Sequence, residues 1–299
     1  MGTKTKILRN KSILFTAVTI ILWLWAISYI FIIVWALVAS SRDGIAFAIN
    51  DGSWFGFTDK EIAPFITRTW SFQNYKKAFT ELKDDVTGTN FFGMFFNSTW
   101  ITLGYLFFNM IVKVTTAYAL AFYCFKGRNG IYKFFVLQMI LPSFGSDTSS
   151  YRLLSNLGMI DNPLYFLSLI SGHGMTMLIY YGCFVGLSKT YAEAARLDGA
   201  NEFTIFFRLY LPMAKSVIVA LCVNDFIGLW QNYAGIMIYF PSYPTLATGL
   251  FAYSTRAVYV MDTPTYFAGL LIANMPVFVL FMAFNKTMLE NITIGGLKG

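Results

Sequence analysis

The sequence predicts an all-α, polytopic membrane protein with six transmembrane helices, on three observations. Hydrophobic residues make up 57% of the 299 residues and charged ones only 12%, with a mean hydropathy of +0.57; soluble domains carry roughly 25% charged residues. The apolar residues are gathered into long runs nearly free of charge, each near the length of about 20 residues that a helix needs to cross hydrocarbon. Lys and Arg, finally, are unequally divided between alternate connecting segments, as membrane topology requires.

Taken in order, the predicted spans are 13–39, 98–124 (interrupted by Lys113), 131–145 (short, with Lys133 and Pro142), 163–187, 214–238 (containing Asp225) and 266–285. The first resembles a signal peptide in having Lys4, Lys6, Arg9 and Lys11 before it and small residues at Ala39 and Ser40. Its run of 27 residues exceeds the roughly 7 to 15 of a cleavable apolar region, so it reads as an uncleaved anchor.

With the N-terminus in the cytoplasm, the inside segments hold thirteen Lys or Arg against four acids, and the outside segments eight against ten. That is the positive-inside distribution, and it accounts for the net charge of +7 without a nucleic-acid partner. Both termini then lie inside. The expected organisation is a cytoplasmic N-terminus (1–12), helix 1 (13–39), an extracellular loop (40–92), a core with helices 2–6 (93–290) and a cytoplasmic tail (291–299).

One cytoplasmic segment, 191–212, is polar where its surroundings are apolar. Ala192 to Leu197 are good helix formers and Gly199 supplies a permissive break. Beyond it Phe203, Phe206, Phe207 and Tyr210 fall at i, i+3, i+4 and i+7, one face of a helix, and Pro212 ends the segment. Two short helices at an angle are expected, with Ala194 and Ala195 small enough for close approach. The residues alone leave two readings open: a docking element for a soluble partner, or an interfacial pair lying under the lipid headgroups. Its three acids, Glu193, Asp198 and Glu202, fit a lipid surface less well.

Ionisable residues inside spans are functional candidates by default. At about 1.5 Å per residue, Asp225 falls near mid-bilayer and Lys113 somewhat nearer the cytoplasm, at depths close enough for a pair. Either Lys113 snorkels while Asp225 makes a buried polar contact, or Asp225, Asn224, Gln231, Asn232 and Lys113 form a candidate polar substrate pathway for a hydroxylated solute. His173, between Gly172 and Gly174, has no companions at metal-ligand spacing, and no metal site is expected. Cys124, Cys183 and Cys222 are scattered in apolar runs without a C-x-x-C pair and read as inert filling. Most aromatics read as lipid-facing or interfacial belts. The 40–92 loop is longer than most connections and reads either as a docking surface or as a small cap. No G-x-x-x-x-G-K-[ST] string occurs, so no phosphate-cradling loop is present. A secondary transporter would typically show internal repeats, and none is evident.

The string EAARLDGA at 193–200, with Leu211 and Pro212 following, resembles the cytoplasmic EAA loop of permease subunits in binding-protein-dependent ABC importers, more narrowly the maltose-permease G-type subunits of the carbohydrate uptake family. WSFQNYKKAF at 70–79, Asn97 with Ser98, AYALAFYCFKGR at 117–128, LGMIDN at 157–162, Pro276 and GGLKG at 295–299 are similar to that family's other segments. LSKT before Tyr191 and WQNY at 230–233 depart from its usual pattern.

The resemblance implies the type I ABC importer permease fold, with the loop 188–213 seated on an ATPase subunit. Glu193, Ala194, Ala195, Asp198, Gly199, Phe203 and Pro212 would form the ATPase-coupling element, with a tail contact at Gly295, Gly296 and Lys298. It implies a second permease subunit, two nucleotide-binding ATPase subunits and an extracellular solute-binding protein as partners in a prokaryotic plasma membrane. ATP and magnesium would sit on the partners, with no cofactor on this chain and no catalysis by it. The solute implied is a sugar or oligosaccharide, with a peptide, amino acid or ion as the alternative.

Overall fold

The structure is a computed structural model that describes residues 2–42, 44, 47, 72–140, 146–171, 174–260 and 262–292. Among them, regular structure is helical throughout, apart from one antiparallel bridge between Lys83 and Asn90 that closes a turn. The chain forms two compact units, residues 1–82 with 252–272, and residues 83–251 with 273–299.

In the first unit, α1 (Gly2–Ser40) is apolar all round from residue 13 onward, after four basic residues, and its side chains from Phe15 to Val34 are almost all exposed. A helix apolar all round has to be covered by lipid or protein. Its end is held within the unit. From α2 (Gln73–Glu81), the buried Asn74 amide donates to the carbonyls of Ser40 and Arg42 at 2.8 and 2.7 Å, satisfying the last carbonyl of the helix, which has no intrahelical partner, and one two residues beyond it. The hydroxyls of Tyr75 and Ser40 meet at 2.8 Å.

The second unit is organised around α3 (Phe91–Phe122), whose Asn90 cap accepts from the Gly93 amide at 2.9 Å. At about 1.5 Å per residue, its 32 residues reach well beyond a hydrocarbon core. Against it pack a 3₁₀ segment (Pro163–Ser171), α6 (Gly174–Val185) and α9 (Lys215–Trp230). The remaining elements are α4 (Arg128–Ile140), α5 (Ser146–Asn156), α7 (Thr190–Leu197), α8 (Glu202–Met213), α10 (Tyr233–Tyr239), α11 (Leu246–Tyr259) and α12 (Thr263–Ile292); the last two run from one unit into the other. Pro276 lies inside α12, where it removes a rung of the hydrogen-bond ladder. The Trp230 indole donates to the Ala273 carbonyl beside it at 2.9 Å.

The six predicted spans divide into two kinds. Among the described residues, three helices are long and apolar enough to cross a membrane, Phe15–Ser40, Phe91–Phe122 and Thr263–Met288, and these contain predicted spans 1, 2 and 6 almost whole. None of the other three is a single long helix among the described residues. Of 131–145, residues 131–140 lie in the 13-residue α4, which alone is too short to cross a core of about 30 Å, and 141–145 lie outside the described residues. The 163–187 span is a 3₁₀ segment followed by α6, and 3₁₀ runs of more than a few residues mark strain or a functional break. The 214–238 span breaks at Gln231 and Asn232, and α8 and α9, bent by 73°, make a fourth apolar crossing only if counted together. Hydropathy registers how apolar a run is and is blind to breaks in its hydrogen bonding.

Candidate functional site

The polar loop is a helix, a left-handed turn and a second helix. The α7 helix ends in paired hydrogen bonds, Ala200 amide to Ala195 carbonyl at 2.9 Å and Gly199 amide to Arg196 carbonyl at 3.0 Å. With Gly199 at φ +82°, this is a Schellman cap, the ending that favours glycine because a Cβ would strain the backbone. Asn201 then caps α8 by accepting from the Thr204 amide at 2.8 Å, so the direction change is encoded within three residues.

Side chains fix the angle between the two helices. The Arg196 guanidinium, exposed on α7, donates to both carboxylate oxygens of Glu202 at 2.7 and 3.3 Å, a fork that matches carboxylate geometry. Tyr123, just past α3, donates to the same carboxylate at 3.0 Å. Behind the loop, the fully buried Tyr210 donates its hydroxyl to the Ser188 carbonyl at 3.0 Å. Its ring lies 4.1 Å from Phe122 and 5.7 Å from Tyr118. Ala192, Ile205 and Phe206 complete this nest against α3 and α6.

The arginine hydrogen bond holds the Glu202 carboxyl below its ordinary range. A depressed folded pKa means that the pair contributes fully above the unfolded value of about 4.3 and is lost as pH falls through the lower folded value. Limited proteolysis of the turn is therefore expected to be unchanged from about pH 8 to about pH 5 and to rise only below about pH 4. Glu202→Gln should abolish that acid-side rise. A marked change between pH 8 and 5 in the native protein would contradict this. The pair is exposed, so its contribution is small beside the buried nest.

Outward, the loop presents Glu193, Ala194, Asp198, Gly199, Phe203 and Pro212, all exposed, while Ala195 is half-buried and serves the cap. The expected single face of Phe203, Phe206, Phe207 and Tyr210 is corrected. Residues 205–210 form a π-helix, whose wider turn, with i→i+5 hydrogen bonds, separates the four: Phe206 and Tyr210 go inward while Phe203 and Phe207 stay exposed. Nor does Pro212 end the helix, which continues to Met213 and bends before Lys215. Sequence reading missed Leu197, 90% exposed at the tip, and the Arg196–Glu202–Tyr123 group; the one legible signal was an asparagine two residues after a glycine, a helix-start mark. Gly295, Gly296 and Lys298 lie outside the described residues, as do His173 and most of the 40–92 loop.

Within the apolar segments, Lys113 and Asp225 form no ion pair. Asp225 accepts from the buried Asn109 amide at 3.0 Å, and Lys113 is near enough only to feel its charge. Of the other candidate pathway residues, Asn224 is exposed and interacts with Asp225. Gln231 donates to Asn274 on α12 at 3.2 Å. Asn232 caps α10, its side-chain oxygen accepting from the Gly235 amide at 2.9 Å. The five are thus not one cluster: Lys113, Asn224 and Asp225 lie together, and Gln231 and Asn232 sit at the break one to two turns on.

Apolar crossings, breaks in helices that carry polar side chains, and one outward-facing polar helix pair define a polytopic membrane transport subunit. More particularly, the sequence profile of the "Binding-protein-dependent transport system inner membrane component" family matches residues 89–289, and the chain belongs to that family. It is similar to the diacetylchitobiose uptake system permease protein NgcG of Streptomyces coelicolor, 26% identical over 92% of this chain and 86% of that one. It is also similar to the arabinooligosaccharides transport system permease protein AraQ of Bacillus subtilis, 26% identical over 78% and 80%, and to the maltodextrin transport system permease protein MdxG of the same organism, 25% identical over 77% and 82%. Among solved structures, a chain of a bacterial ABC transporter involved in the import of the acidic polysaccharide alginate shares the fold. Its TM-score is 0.72 at 20% identity, over 93% of this chain and 97% of that one.

Proposed function

We propose that this chain is one of two permease subunits of an ATP-driven importer that carries a sugar or oligosaccharide delivered by an extracellular binding protein. The exposed, rigidly turned α7–α8 pair carries the coupling reading: charged and apolar side chains on a fixed scaffold suit a protein groove. The relatives' cargoes, diacetylchitobiose, arabinooligosaccharides and maltodextrin, support a carbohydrate.

In this reading both termini and the α7–α8 loop face the cytoplasm, and the chain crosses six times, with the 3₁₀ segment plus α6 and α9 plus α10 serving as broken crossings. Non-helical backbone is tolerated at membrane depth only where it is buried in protein or lines a cavity, which suits a translocation pathway between two permeases. Glu193, Asp198, Gly199 and the exposed Leu197 and Phe203 seat in a groove of an ATPase subunit; ATP and magnesium bind there, not to this chain. The segment 40–92 docks the binding protein, and Gly295, Gly296 and Lys298 make a further ATPase contact.

The test is reconstitution in vesicles with the partner permease, the ATPase subunits and the binding protein. Saccharide uptake is expected to require ATP and the binding protein together. Uptake driven by an ion gradient without ATP, or stimulation by amino acids or peptides and by no saccharide, would overturn the reading.

A further inference from the structure

The break between α9 and α10 opens onto a cavity of about 110 Å³ in the second unit, lined among others by Thr102 and Tyr105 of α3, Tyr165 of the 3₁₀ segment, and Asn232, Tyr239 and Phe240. At the roughly 10–15 Å³ that such a measure needs to hold one water, it has space for several waters, on the scale of a single sugar ring.

Its polar groups are in want of partners. Thr102 is only 3% exposed, and its hydroxyl has no hydrogen-bond partner among the described residues, whereas Thr99 and Thr115 on the same helix donate to carbonyls of their own preceding turn at 2.8 and 2.6 Å. A buried hydroxyl left unsatisfied is destabilising, so a group of this kind points to a ligand or water that fills it. The phenol hydroxyls of Tyr105, Tyr165 and Tyr239 and the Asn232 amide nitrogen are likewise without protein partners among the described residues.

The remaining wall is aromatic. Tyr165 and Tyr239 lie 4.9 Å apart at 32°, and Phe240 stands edge-on to Tyr165 at 5.2 Å. Flat apolar faces edged by neutral donors and acceptors match a ring that has C–H faces and a rim of hydroxyls. No charged side chain lines the cavity; a carboxylated sugar brought here would lose water and find no cation to replace it.

We propose that this cavity is a saccharide subsite belonging to this subunit, taking one neutral sugar ring of the transported solute, with Thr102 as a hydrogen-bonding group and the Tyr165–Tyr239 pair as the platform. The inference rests on the sugar-importer reading above.

The experiment uses the reconstituted importer with its binding protein and a neutral trisaccharide that the native complex takes up, chosen from maltotriose, raffinose and arabinotriose. Thr102→Val keeps the shape and removes the hydroxyl; its apparent KM for uptake is expected to rise about three- to tenfold, in line with one lost hydrogen bond. Any fall in maximal rate should be smaller than that rise, and Thr102→Ser should restore the native KM. Tyr105→Phe offers a second, equally mild removal of a hydroxyl. A native KM in both Thr102→Val and Tyr105→Phe would overturn the subsite. So would failure of Thr102→Ser to rescue, or uptake of a trisaccharide of uronic acids as efficient as that of the neutral one. If the native complex takes up no saccharide at all, the function reading fails, and the subsite with it; native uptake with indifferent variants rejects the subsite alone.

Discussion

Replacing Gly199 by proline is expected to leave the protein in the membrane and to reduce ATP-driven uptake by about a hundredfold or more. The residue sits at φ +82°, and proline locks φ near about −65°. Proline also deletes the amide that donates to the Arg196 carbonyl at 3.0 Å, which is half of the Schellman cap. A misplaced proline costs about 3 kcal/mol or more, a factor of over about a hundred in the population of the correct turn. Gly199→Ala is the graded control. A Cβ there would meet nothing within 4 Å, so only the left-handed backbone cost of about 1–2 kcal/mol remains. Membrane abundance by immunoblot, together with uptake and ATP hydrolysis by the reconstituted complex, makes the measurement. A well-inserted Gly199→Pro protein with native uptake would refute the role given to this turn.

The second large effect is expected of Tyr210→Ala, at the base of the same loop. Tyr210 is fully buried, and removing a core aromatic ring costs about 3–5 kcal/mol, because the neighbours only partly close the cavity. Here those neighbours are Phe122 and Tyr118 of α3 and Ala192 of α7, so the loss falls on the attachment of the loop to the bundle. Tyr210→Phe keeps the ring and loses only the bond to the Ser188 carbonyl, about 1 kcal/mol. Alanine is therefore expected to abolish copurification with the ATPase subunits and to lower uptake at least about tenfold, with phenylalanine near the native protein. Equal behaviour of the two variants would show that the nest does not hold the loop in place.

Much of this was legible in the chain. Three of the six expected spans stand as long apolar helices, because transfer to hydrocarbon is nearly additive along a sequence. The turn at Gly199 was legible because a left-handed position leaves a glycine behind. The pairing of Asp225 was not: Lys113 offered the opposite charge, yet Asn109, with no charge to advertise it, makes the contact at 3.0 Å. Nor was the face of α8, since a π-helix between Ile205 and Tyr210 shifts the phase on which a period of 3.6 residues depends.

The sequence by itself determined that the chain lives in a bilayer, that one polar helix pair interrupts its apolar runs, and which family it resembles; each follows from residue types at short range. The tertiary structure alone decided which helices are broken, which side of the loop is anchored and which is free, and that Thr102, Tyr165, Asn232 and Tyr239 share one cavity. Those depend on hydrogen bonds and packing between segments as much as 137 residues apart, and nothing in the local pattern of a chain records which distant carbonyl, ring or amide will be its neighbour.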